Sequence, residues 1–106
     1  MAIRLRSGGQ FLPTVKWGTA ANVAFTGTSA QSSALGTTGG SNVLVRLTAT
    51  AACRILEGSN PTAVATSTLL PAGVVEFVEV TAGNKLAVIQ DSAAGTLSIT
   101  IVDPNG

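Results

Sequence analysis

The sequence predicts an all-β fold: a compact β-sandwich or jelly-roll-like barrel of six to eight short antiparallel strands, with an extended arm at its N-terminus. Three observations carry that expectation. No window holds a sustained i, i+3, i+4, i+7 apolar stripe, and Thr, Val and Gly, all poor helix formers, are abundant. Period-two alternation recurs instead, most clearly in Leu97, Ile99 and Ile101 against Ser98, Thr100 and Val102. Clusters of turn-forming residues also punctuate the chain every ten to thirteen residues or so, a spacing that suits short strands and leaves no room for the helix of a βαβ unit.

Taken from the N-terminus, residues 1–19 show neither a strand nor a helix period. The break at Ser7-Gly8-Gly9, Pro13 and the isolated apolar residues Ile3, Leu5, Phe11, Leu12, Val15 and Trp17 read as an extended arm. Residues 20–106 form a single β-sandwich domain. Its first strand is expected over Val23–Thr26. Gln31–Leu35 adds a second strand or closes a hairpin around Gly27-Thr28, and Gly36–Gly40 is a loop. In Ser41–Thr50, Val43, Val45 and Leu47 share a core face, while Leu44, Arg46 and Thr48 share the other. Cys53–Glu57, Ala63–Thr68, Val74–Val80 and Lys85–Gln90 follow as strands, separated by Glu57–Pro61, Leu70–Gly73, Ala82–Asn84 and Asp91–Gly95. The final strand, Leu97–Val102, is expected to bury Leu97, Ile99 and Ile101 and to wet its other face. Ile55, Phe77, Leu86 and Val88 complete the expected core with Val43, Val45 and Leu47.

Composition excludes more functions than it suggests. Charged residues are 10% of the chain, well below the usual quarter or so, and six Lys or Arg against five Asp or Glu leave a net charge of +1. That balance disfavours nucleic acid and a polybasic membrane anchor alike. His and Tyr are absent, which removes the commonest general acid/base and metal ligand and the phenolic proton donor. No enzymatic activity, cofactor, metal site or small-molecule substrate is therefore expected. Met1–Arg6 has the charge of a signal-peptide start, but Ser7-Gly8-Gly9-Gln10 stands where an apolar run belongs, so no export signal is expected.

The individual candidates for chemistry read the same way. Cys53 has no second thiol to pair with and reads as a small buried hydrophobe. Glu76 and Glu79 are the nearest carboxylate pair, but three residues apart in a strand they point to opposite faces. Their alternation is that of a charged sheet edge, which discourages unwanted strand pairing. Gly36–Gly40 lacks the lysine of a phosphate loop and opens no helix. The N-terminal segment is different, because it gathers Arg4, Arg6 and Lys16, half of the cationic side chains, with Phe11 and Trp17. Three cations are too few for tight nucleic-acid binding. A protein contact anchored by Phe11 or Trp17, with an arginine on a carboxylate, needs fewer assumptions.

The rhythm of Val43–Leu47 through Cys53–Gly58, Pro61–Ala63 with Leu70–Gly73, and Gly83–Asp91 into Gly95–Thr100 resembles small virion proteins of tailed bacteriophages, of the capsid decoration or cement type. The resemblance covers about sixty residues and rests on strand-and-turn rhythm; the N-terminal arm has no counterpart in it. It implies a non-enzymatic structural protein on the capsid surface of a virion, made in the host cytoplasm. Its implied partners are the major capsid protein and further copies of itself, with a trimer as the expected homo-oligomer. The alternatives are a tail or fibre β-module that binds a receptor or carbohydrate, and a head-to-tail adaptor.

Overall fold

The computed structural model of the chain describes residues 16–103. Among them there is no helix, and eight strands account for the regular structure: β1 (Lys16–Phe25), β2 (Ala30–Gln31), β3 (Val43–Ala49), β4 (Cys53–Gly58), β5 (Thr68–Leu70), β6 (Glu76–Val80), β7 (Lys85–Gln90) and β8 (Gly95–Asp103). They form two four-stranded antiparallel sheets ordered β1-β8-β3-β6 and β2-β7-β4-β5. Every connection except β4 to β5 passes from one sheet to the other. This is the strand order of an eight-stranded jelly roll, so the expected fold class holds in its more specific form.

The core follows from strand alternation. In β3, Val45, Leu47 and Ala49 point inward, and their cross-strand partners Ile101, Ile99 and Leu97 on β8 point the same way. Val23 and Phe25 extend this layer on β1, and Cys53, Leu70, Leu86 and Val88 meet it from the second sheet. Phe25 is 1% exposed and lies opposite Gly95. A Cβ on Gly95 would come within 2.8 Å of the Phe25 ring, so the glycine makes the space the aromatic fills.

Several boundaries differ from those expected. The arm-domain division at residue 19 moves back, because β1 already begins at Lys16, where the backbone pairs with Asp103. Gln31–Leu35 is not a full strand, since β2 stops at Gln31. Beyond it the Ser32 hydroxyl accepts a hydrogen bond from the Leu86 amide at 3.0 Å and so replaces a ladder bond with a side chain. No hairpin forms around Gly27-Thr28, because β2 pairs with β7 and the turn crosses between sheets. Ala63–Thr68 is mostly loop: β5 starts at Thr68, and Ser67 turns back on Val64 through two hydrogen bonds.

Phe77 is a correction of face. It is 45% exposed, because Val78 and Val80 take the inward positions of β6 and a two-residue period then turns Phe77 outward. Val43, Ile55 and Ile101 are half-buried, packed at the margins of the core. The outer face of β8 is also drier than expected. Val102 is 3% exposed and Thr100 is buried too.

Candidate functional site

The dry patch on the outside of β1-β8-β3-β6 is built by a defect in the β1 ladder. Trp17 pairs with Val102 and Ala20 with Thr100, so three steps along β1 match two along β8. One extra residue on β1 makes a β-bulge, and it turns Trp17 onto the outer face that Ala20 also occupies. Gly18 lies in the bulge. A Cβ there would stand 3.1 Å from the Ile101 carbonyl oxygen, so a side chain would crowd the neighbouring strand.

Once turned outward, Trp17 lies beside Val102, which sits between it and Leu44 in the cross-strand row. The next row brings Thr100, Arg46 and Phe77 side by side. The Arg46 guanidinium carbon lies 5.6 Å from the centre of the Trp17 ring, a cation-π contact that spans β8. Trp17 remains 72% exposed, and Val74 and Val75, just ahead of β6, are exposed as well. The result is a stripe across all four strands with a tryptophan, an arginine and a phenylalanine on a rigid sheet. Those residue types are enriched where proteins dock.

A second feature lies where the sandwich opens, between the edge strands β5 and β6. It is a cleft of about 190 Å³ floored by Leu47, Ile55, Leu70, Val78 and Leu86, with Glu57, Glu76 and Glu79 also lining it. Glu57 is engaged. Its carboxylate accepts hydrogen bonds from the Thr81 amide at 2.8 Å and from Asn84 Nδ2 at 3.0 Å, tying the end of β4 to the β6–β7 turn. Glu76 shares the inward parity of Val78 and Val80, whereas Glu79 shares the outward parity of Phe77. The pair does mark a sheet edge, as its alternation suggested.

The remaining reactive group is Cys53. It is fully buried, and burial pushes its thiol up to about 11 from 9.0, so it stays protonated and non-nucleophilic at neutral pH. Among the described residues, no three His, Cys, Asp or Glu side chains gather as a metal-binding group. Arg54 of β4 pairs with Asp91, in the turn after β7, at 3.1 Å on the surface.

Of the residues singled out from the sequence, Arg4, Arg6 and Phe11 lie outside the described residues. Lys16 opens β1, and Trp17 stands in the middle of the exposed stripe. Arg46, Phe77 and Val102 are the members that sequence reasoning missed. A signal existed: Leu44 and Val102 are apolar residues on faces otherwise read as wet. No family model, curated protein or solved structure matches the chain.

Proposed function

We propose that this protein is a non-enzymatic structural component of a bacteriophage virion that docks on the capsid shell and stabilises it as a decoration protein. The observation that carries this reading is the Trp17–Arg46–Phe77 stripe, with two exposed aromatic residues and an arginine on the outer face of a four-stranded sheet. The scarcity of charge supports it, since little electrostatic repulsion separates copies from one another or from a lattice. The missing His and Tyr weigh against catalysis. The stabilising mechanism is mass action: a protein that binds the assembled shell better than free capsid subunits shifts the equilibrium toward assembly. A homo-oligomer, a trimer by the resemblance to cement proteins, presents several copies of the stripe at once and gains by multivalency.

Electron cryomicroscopy of the virion is the test. Density for this chain on the shell surface, with the outer face of β1-β8-β3-β6 against the major capsid protein, is the expected result. Density at the portal or tail would replace this reading with the head-to-tail adaptor or fibre module.

One observation favours a second reading. A carbohydrate-binding module needs exposed aromatics, and Phe77 proves exposed, so Trp17 and Phe77 both stand on one face. Arg46 already lies over the Trp17 ring, which leaves less of that ring for a sugar to stack on. Binding of purified protein to host-surface polysaccharide, lost in Trp17→Ala and Phe77→Ala, would favour this alternative.

A further inference from the structure

The cleft between β5 and β6 has the features of a strand acceptor. Each of these strands is the last in its sheet, so along β6 one row of backbone N–H and C=O groups has no sheet neighbour among the described residues. A strand laid against β6 would find Val78 and Val80 on its inner side, above the apolar floor that Ile55, Leu70 and Leu86 provide. On its outer side it would find Phe77 and Glu79. The complementary sequence is therefore one that alternates apolar and basic residues.

Within this chain, Ile3-Arg4-Leu5-Arg6 has that alternation. We propose that residues 3–6 of a second copy add to β6 as an antiparallel strand, with Ile3 and Leu5 over the cleft and Arg4 and Arg6 facing Glu79 and the Phe77 ring. Backbone hydrogen bonds supply affinity in such strand addition, and the alternating side chains supply specificity. Arginine suits both outer partners, through a charge-assisted bond to the carboxylate and a cation-π contact to the ring.

Reach argues for the second copy over the chain's own arm. β1 and β6 are the two edges of one sheet, and Trp17 lies in the same cross-strand row as Glu79, three strand spacings away. An antiparallel strand beyond β6 would end near Glu76, about 20–25 Å from Lys16 in a straight line. Residues 7–15 span about 30 Å at most when fully extended, yet they include Gly8-Gly9 and Pro13, which favour turns. Docking on the same molecule would draw this connection nearly straight around the sandwich. Docking on a neighbour removes that constraint, and head-to-tail donation closes into a ring.

This inference rests on the self-association part of the proposed function and not on the shell. Its test is sedimentation velocity on the full-length chain at tens of micromolar. The arm variant Arg4→Glu and the acceptor variant Glu79→Arg should each sediment as a monomer, with association weakened at least tenfold and the wild-type far-UV spectrum retained. Mixed together, they should reassociate, because each supplies the charge the other reversed. A Leu5→Asp variant should be monomeric too, without reversing any charge. Wild-type protein that is monomeric at this concentration would overturn the inference, as it would if the arm docked on its own chain. So would an arm variant that keeps the oligomer, or a mixture that stays monomeric. Loss of shell occupancy alone would leave these results unchanged and bear only on the virion reading.

Discussion

The two long flanks of the sandwich are built differently. On one side the ten-residue β1 lies beside β2, and Val23, Phe25 and Leu35 fill the space between the sheets. On the other, β5 has three residues and β6 has five, and the space between them stays open as a cleft with carboxylates around it. The first flank buries Phe25 between the sheets, and the second leaves Phe77 exposed. A small domain needs one well-sealed core to be stable, and an edge it leaves open, charged and short is the edge it can use for contact without losing that core.

The largest effect that separates the flanks comes from the same substitution made on each. Phe25→Ala should cost about 3–5 kcal/mol, the usual penalty for a phenylalanine removed from a closed core. Phe77→Ala should cost about 1 kcal/mol or less, because that side chain already meets water. Urea denaturation of the two variants compares them directly. Equal losses would mean that Phe77 is as much a core residue as Phe25.

A smaller effect concerns the middle of the core. The Cys53 thiol is held up to about 11 in the folded state from 9.0, so the unfolded chain loses this proton first. Its contribution to stability is unchanged below pH 9 and falls as the pH climbs toward 11, by about 2–3 kcal/mol in all. Denaturation midpoints measured from pH 7 to 11 should decline more steeply for the wild type than for Cys53→Ala. At pH 8 the native thiol should resist alkylation, and parallel slopes would show that Cys53 titrates as an exposed thiol does.

The smallest effect belongs to the surface. The Arg54–Asp91 pair is partly exposed on both sides, so Asp91→Asn should change stability by about 0.5 kcal/mol or less, and high salt should erase the difference. A loss well above 1 kcal/mol would mean that the pair holds β4 and the β7–β8 turn together.

These contrasts also explain what the sequence made legible. β3, β4 and β8 were readable because apolar residues at every second position leave one face for the core, as with Val45 and Leu47 or Leu97 and Ile99, and β7 because it is a short apolar run between turn clusters. β6 was readable as a strand but not in its facing. Glu76-Phe77-Val78-Glu79-Val80 sets one large apolar residue against two smaller ones, and the sheet resolves the contest in favour of Val78 and Val80. Trp17 stood out in the sequence and is exposed, yet its strand was not legible. Gly18 and the bulge interrupt the two-residue period, so β1 looks irregular on paper from its start at Lys16. Arg46 beside Trp17 depends on a register between strands distant in sequence, which no local pattern carries.

In the proposed function the outer stripe binds the shell while the closed flank holds the fold, and Trp17→Ala separates the two. Under the proposed virion role, the measurement is occupancy of capsid shells prepared without this protein, at protein concentrations below saturation. The expected result is a loss of at least tenfold in affinity for Trp17→Ala, with a urea midpoint within error of the wild type. Equal occupancy for the two proteins would contradict the account.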